Sequence, residues 1–417
     1  MAQPWYTKSK NWKVRCTMEN KILTEAKDLT QEIITHRRWL HSHAETGFDL
    51  ERTKAYVRTV LEGMGYRPTD CGKSGLAATI GKKDGKCFLL RADMDALPIR
   101  EETGLEFACK DGAMHACGHD LHTAMLLGAA QILKNHESEL EGTVKLMFQP
   151  SEETFEGSKD MIEAGVLENP HVDAGMMIHV SAGVPIPAGT VLISAPGVSA
   201  PAADYFTIRV QGKGCHGSAP QDGVDPLTAA AHILIALQEI KARELGIADS
   251  AILTIGTMQA GTASNVIPDS VTMGGTIRTL DEDTRAFLKK RLTEISQGVA
   301  GAFRATAEVT FDSGCPTLVN DERLCEDAEK NLTELLGADR ALSVAKLNPG
   351  GKPSAGGSED FAYISHQIPT VMVALAAGEP KNGHTYPLHH PKVTFDESAL
   401  PYGAATLSGM AMRYLQN

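Results

Sequence analysis

Cys87-Phe88-Leu89-Leu90-Arg91-Ala92-Asp93-Met94-Asp95 is the stretch that decides the fold of this chain. A short apolar run that shows no polar alternation and ends in carboxylates reads as a strand covered on both faces, as in a parallel sheet. Two further runs have the same form. Val144-Lys145-Leu146-Met147-Phe148 leads into Gln149-Pro150-Ser151-Glu152-Glu153, and Met176-Met177-Ile178 ends at His179. With the three in one sheet and pointing the same way, Asp93, Asp95, Glu152, Glu153 and His179 lie along one edge. That edge is where an open α/β sheet gathers its ligands.

Between the first two runs stands Met114-His115-Ala116-Cys117-Gly118-His119-Asp120. A thiol and an imidazole two residues apart beside a carboxylate are good transition-metal ligands. The stretch His122 to Asn135 carries Met125, Leu126, Ala129, Ile132 and Leu133 on a helical period, so Cys117 and His119 are expected just ahead of a helix N-terminus. His389-His390 adds imidazoles near the chain end. A Cys-x-His pair alone decides nothing, because free cysteine is usually a small buried hydrophobe. Its convergence with donor clusters at strand ends marks a metal site. His36, His136, His171 and His366 have no such company and read as ordinary core or surface histidines.

At 417 residues the chain is long for one domain, which predicts two, or one with an insertion. A net charge of −12 argues against nucleic acid or an anionic membrane surface as a partner. No apolar run reaches the ~20 residues of a membrane helix, and the basic N-terminus lacks the apolar core of a secretory signal. The expectation is a cytoplasmic protein. The eight cysteines are scattered without a CxxC pair, which argues against a disulfide framework or a four-cysteine zinc site. Residues 1–19 read as a polar extension, with Met1 and Met18 as alternative starts.

The middle of the chain changes pattern. It reads as strand (Tyr205 to Val210), helix (Pro226 to about Glu244), strand (Ala251 to Met258), strand (Val271 to Thr279), helix (about Asp283 to Val299) and strand (Thr306 to Phe311). That order is β-α-β-β-α-β, the order of a ferredoxin-like α+β unit. Asp225-Pro226 supplies a helix cap and a first-turn proline. A small domain over 198–313 is therefore expected to interrupt a metal-bearing α/β domain made of 20–197 and 314–417. Gly212-Lys213-Gly214-Cys215-His216-Gly217 matches G-x-G-x-x-G, but Ser218-Ala219-Pro220 does not open a helix, so a dinucleotide site is rejected. The glycines instead let the backbone turn and leave His216 projecting.

Taken together, Arg91-Ala92-Asp93-Met94-Asp95-Ala96-Leu97-Pro98, the Cys117-Gly118-His119 stretch, Gln149-Pro150-Ser151-Glu152-Glu153, Ser264-Asn265-Val266-Ile267-Pro268, Gly357-Ser358-Glu359-Asp360-Phe361 and Leu388-His389-His390-Pro391 resemble the M20 metallopeptidase family. Within it they resemble the amidohydrolase branch of hippurate hydrolases, N-acyl-amino-acid amidohydrolases and indole-acetyl-amino-acid hydrolases, from about His36 to the C-terminus. The resemblance implies a two-metal hydrolase domain with a central mixed, largely parallel sheet and an inserted lid that is also the dimerisation domain. It makes Cys117, His119, Glu153, His179 and His389 the ligands of two divalent ions, with Cys117 bridging, and Glu152 the general base. Zinc or manganese is implied, with cobalt and nickel as alternatives. Such ions polarise an amide carbonyl and bring the pKa of a water to roughly 7. Asp93 and Asp95 stand where other branches carry His-x-Asp ligands, and the expectation is that they orient ligand imidazoles.

In the insert the resemblance makes His216 an oxyanion stabiliser serving the partner subunit of a homodimer, and Asn265 and Arg278 substrate contacts, Arg278 suiting a free α-carboxylate. Three positions depart from the family pattern: Ala44 in place of proline, Cys215 in place of glycine, and Val180-Ser181-Ala182 without an aromatic after His179. The reading is a metal-dependent amidohydrolase of N-acyl amino acids. The alternatives are a dipeptidase or carboxypeptidase built on the same residues, and a metal-binding protein without activity, which Glu152 argues against.

Overall fold

Strands whose side chains are apolar on both faces need cover on both faces, and the three runs read from the sequence receive it. The computed structural model describes residues 21–82, 84–349 and 357–416. Cys87–Asp93 and Thr143–Gln149 are buried at every position, and Ala174–Ser181 at most. They belong to one eight-stranded mixed sheet ordered Thr69–Cys71, Gly75–Gly81, Thr143–Gln149, Cys87–Asp93, Ala174–Ser181, Thr370–Ala376, Val191–Ile193, Ala341–Ser343. The four strands from Thr143–Gln149 to Thr370–Ala376 run parallel, so their carboxyl ends share one edge. Antiparallel pairs flank them.

Lys145 stands in the middle of one of these buried strands. Its ammonium donates to the carbonyls of Val166, Glu168 and Pro170, each at 2.8 Å, which is why the run tolerates a charge. The helix His119–Asn135 is buried along nearly its whole length and packs against Thr30–Ser42, Leu400–Leu415 and the Cys87–Asp93 strand. It starts three residues earlier than the apolar period suggests, so His119 lies inside its first turn. Among the described residues no helix is long and apolar enough to cross a membrane.

The described residues fall into two compact units, 21–197 with 319–349 and 363–416, and 198–318 with 357–362. In the second unit Ala251–Ala260, Ser270–Thr279, Ala202–Gln211 and Thr306–Cys315 form, in that order, a four-stranded antiparallel sheet. Along Ala202–Gln211 the buried Phe206, Ile208 and Val210 alternate with Tyr205, Thr207 and Arg209, and the buried set packs on the helices Pro226–Glu239 and Glu282–Ala302. Asp225 accepts hydrogen bonds from the Leu227 and Thr228 amides, capping the first helix ahead of Pro226. That helix leaves α geometry at Ile240, and Ile240–Glu244 forms a wider π-helical turn. The last strand continues to Cys315, beyond its expected end at Phe311. The extension expected at 1–19 lies outside the described residues.

Candidate metal centre

Gly118 sets the turn that brings the donors of its own loop together. Its φ of 88° is left-handed, and a Cβ there would lie 2.3 Å from Cγ2 of Val180, so the position admits glycine alone. The turn leaves Cys117 just ahead of the helix and His119 as its first residue. The backbone carbonyl of Asp95 accepts from His119 Nδ1 at 2.8 Å, which fixes the ring and turns Nε2 toward the carboxylates. His119 Nε2 lies 3.8 Å from Glu152 Oε2 and 3.9 Å from Glu153 Oε1.

His179 is fixed in the same way. Its Nδ1 donates to the carbonyl of Val180 at 2.7 Å, and Nε2 lies 3.6 Å from Cys117 Sγ. His389 has a φ of 65°, and its amide donates to the carbonyl of Ala116 at 2.9 Å. That unusual backbone brings its Nε2 to 3.2 Å from Cys117 Sγ and 3.5 Å from Glu153 Oε1. Two donor triads result, Cys117 with His119 and His179, and Cys117 with Glu153 and His389, the atoms of each lying within 4.8 Å of one another. They share the Cys117 sulfur.

The electrostatics suit a cation. Burial pushes Glu153 up to about 7, with Asp95 and Asp93 adding to the effect, and burial pushes the Cys117 thiol up as well. Burial and the neighbouring His122 bring His179 down to about 3, which keeps its Nε2 lone pair available. His119 Nε2 and Glu153 Oε1 are buried without a hydrogen-bond partner. An unmet buried group costs about 1–3 kcal/mol, and a divalent ion among sulfur, nitrogen and oxygen donors would satisfy both. The residues present therefore fit a metal.

The expectation that Asp93 and Asp95 orient ligand imidazoles takes a different form here. Asp95 meets His119 Nδ1 through its backbone carbonyl at 2.8 Å and with carboxylate Oδ1 at 3.5 Å, while the same carboxylate accepts from the amides of Glu152 at 3.0 Å and Glu153 at 3.2 Å. It thereby holds the Glu152-Glu153 turn. Asp93 accepts from His122 Nδ1 at 2.6 Å. His122 was read from the sequence only as the start of the helix and not as part of the site, although it lies one helical turn beyond His119 and so on the same face. Arg37 and His41 were missed too; both bond Asp120, at 2.8 and 2.9 Å, behind the metal-bearing turn. Their spacing of four on the helix Thr30–Ser42 was the available signal. His36, His136, His171 and His366 enter no donor cluster among the described residues.

His216, Asn265 and Arg278 lie in the second unit. Cys215–His216 pairs with Val266–Ile267, and the Gly217 amide donates to the Asn265 carbonyl at 2.7 Å, so His216 and Asn265 share one loop pair. The Ser218 amide donates to His216 Nδ1 at 3.1 Å, which leaves the ring hydrogen on the exposed Nε2. No α-helix opens directly after Gly217; a single 3-10 turn, Pro220–Asp222, intervenes before the α-helix that starts at Pro226. Arg278 lies over the Tyr205 ring at 5.2 Å and donates to its hydroxyl at 3.2 Å.

Residues 89–413 match the sequence profile of Peptidase family M20/M25/M40. The chain belongs to this family. It is accordingly a metal-dependent hydrolase acting on amide bonds. Among M20 relatives it is 38% identical to N-acetyl-L-cysteine deacetylase of Bacillus subtilis, over 93% of this chain and 89% of the relative. It is 37% identical to IAA-amino acid hydrolase ILR1-like 2 of Arabidopsis thaliana, over 96% and 89%. In structure it resembles the YXEP protein of Bacillus subtilis, a dinuclear metal-binding peptidase of the M20 family, with a TM-score of 0.75 and 34% identity over 94% of this chain and 99% of that one.

Proposed function

We propose that this M20 protein cleaves the amide bond between an acyl group and an amino acid. The observation that carries the reading is the pair of donor triads sharing Cys117, with Glu152 beside the donor Glu153. In this account Cys117, His119, Glu153, His179 and His389 hold two divalent ions, which supply Lewis acidity and an acidified water when bound. Glu152 takes a proton from the attacking water and returns it to the leaving nitrogen. Asp95 keeps Glu152 in place through its amide.

The second unit is proposed as an inserted ferredoxin-like lid and dimerisation domain. Its edge strand Ala251–Ala260 exposes Ile252 and Met258, which favours pairing with a second copy. The Nε2 hydrogen of His216 then donates to the developing oxyanion in the site of the other subunit. Asn265 and the Arg278 guanidinium bind the substrate, the latter holding its α-carboxylate. The compounds in the names of the two relatives, N-acetyl-L-cysteine and an IAA-amino acid, fall in this substrate class.

A panel of N-acetyl, benzoyl and long-chain acyl amino acids, assayed beside simple dipeptides with added Mn2+, Zn2+ or Co2+, tests the reading. It requires turnover of at least one acyl amino acid that exceeds every dipeptide. Turnover confined to dipeptides would refute it.

A further inference from the structure

The strand Ala174–Ser181 outruns its neighbour. It pairs with Cys87–Asp93 only as far as Met177, opposite Arg91, while on its other side the ladder with Thr370–Ala376 continues to Ser181. An amide on the unpaired side beyond Met177 has no strand to bond, and a buried unpaired amide is costly. The Val180 amide, next to His179, is such a group. It donates to His122 Nε2 at 2.9 Å.

The rest of His122 is equally constrained. Its Nδ1 lies 2.6 Å from Asp93 Oδ1; Asp93 Oδ2 accepts from Arg91 at 2.6 Å, and Arg91 Nε donates to Gln149 Oε1 at 2.8 Å. Thr123 closes the group by donating to the Asp93 carbonyl at 2.7 Å. Every side chain from Gln149 to His122 is at most 2% exposed. The chain of bonds crosses the carboxyl ends of three parallel strands, at the points from which Glu152, Asp95 and His179 depart. The amide can only donate, so His122 Nε2 must accept and the ring hydrogen must be on Nδ1. Both ring nitrogens are thus used within the protein.

We infer that His122 is a positioning residue, locked as the Nδ1–H tautomer between Asp93 and the Val180 amide, that holds the end of the His179 strand against the helix bearing His119 and so sets the spacing of the metal donors. The ring stacks 5.4 Å from His119 and meets His179 edge-to-face at 4.8 Å, between the two imidazoles it spaces. The inference rests on the reading of His119 and His179 as ligands. Residues that orient ligands in this way are worth about 10–100-fold in metal affinity.

The tautomer is read directly from long-range 1H–15N histidine spectra of the metal-free wild-type protein, with His122→Gln assigning the resonance. The hydrogen is expected on Nδ1; finding it on Nε2, or on both nitrogens, overturns the lock. Zn2+ affinity, measured by chelator competition, should fall about 10–100-fold in His122→Ala. It should recover in part in His122→Gln, whose amide offers an acceptor to Val180 and a donor to Asp93. Wild-type affinity in His122→Ala, alongside metal loss in His179→Ala, overturns this inference alone. Full metal content in His179→Ala overturns the ligand reading and this inference with it. Should His122→Ala fail to fold, the wild-type tautomer and the affinity of His122→Gln decide, and a glutamine variant that folds but has lost its metal counts against the lock.

Discussion

Replacing Gly118 by alanine brings a methyl group 2.3 Å from Val180 Cγ2 and 3.2 Å from the Phe395 ring, at a backbone φ of 88°. Two penalties add. A left-handed backbone costs an ordinary residue about 1–2 kcal/mol. An ordinary carbon contact needs about 3.5–4.0 Å, so Val180 or the Cys117 loop must also move by more than about 1 Å. Val180 is 1% exposed and its amide is tied to His122, which leaves it little room to retreat. Overpacking of this kind costs about 1–3 kcal/mol, for a total of about 2–5 kcal/mol.

Gly165 supplies an internal control. Its φ is 87°, and nothing lies within 4 Å of where its Cβ would stand, so Gly165→Ala incurs the backbone penalty alone. Urea unfolding of both variants, with metal content measured in parallel, separates the two terms. Gly118→Ala should be the less stable by about 1–3 kcal/mol and should lose metal, because the displaced atoms are those that set Cys117 against His179. Equal destabilisation of the two variants, with metal retained in both, would refute the argument that close packing at Gly118 builds the site.

Glu152→Gln should keep fold and metal while losing activity by on the order of 10²-fold or more, as for a positioned proton carrier; full metal with near-normal turnover would remove Glu152 from the chemistry. Metal binding should release protons, because the thiol of Cys117 is pushed up and Glu153 is raised to about 7. Affinity should therefore fall from about pH 8 to about pH 6, and titrations showing no pH dependence across that span would contradict these assignments. The raised Glu153 has the opposite effect on the metal-free fold: its protonated form is favoured in the folded state, so metal-free stability should decline as pH rises from about 4.5 to about 7 and level off above, measurable by denaturant unfolding from about pH 4 to about pH 8. Mixed dimers of His216→Ala with Glu152→Gln should regain up to about half of the wild-type activity if His216 supplies one donor across subunits; verified heterodimers as inactive as their parents would place His216 outside the other chain's site.

The sheet was legible because burial on both faces leaves an unmistakable pattern. Cys87–Asp93 and Ala174–Ser181 carry almost nothing but apolar residues up to the positions where donors begin, and even Lys145 does not interrupt its run, since its charge is met by three backbone carbonyls. Most donors were legible because they lie at the carboxyl end of a strand or in the Cys-x-His turn; His389 stood out only as one of two adjacent imidazoles near the chain end. The start of the metal-bearing helix was not legible, because its first two residues, His119 and Asp120, are polar and the turn is set by the backbone at Gly118. The part played by Asp95 was hidden for a related reason: it acts through its own carbonyl on His119 and through the amides of Glu152 and Glu153, which side-chain identity does not disclose. His122 depends on Val180, 58 residues away, and Arg37 on Asp120, 83 residues away; partnerships at that range leave no local trace.

The shared Cys117 sulfur is the claim from which the rest follows. Metal stoichiometry and affinity, determined on the wild type and on Cys117→Ser after complete chelation and reloading with Zn2+, test it most directly. The wild type should bind two ions per chain and recover activity on reloading. Cys117→Ser should bind both ions weakly, because a hydroxyl is a far poorer ligand than a thiolate. A serine variant that binds two ions as tightly as the wild type, or that loses one ion while holding the other unchanged, would contradict a sulfur common to both triads.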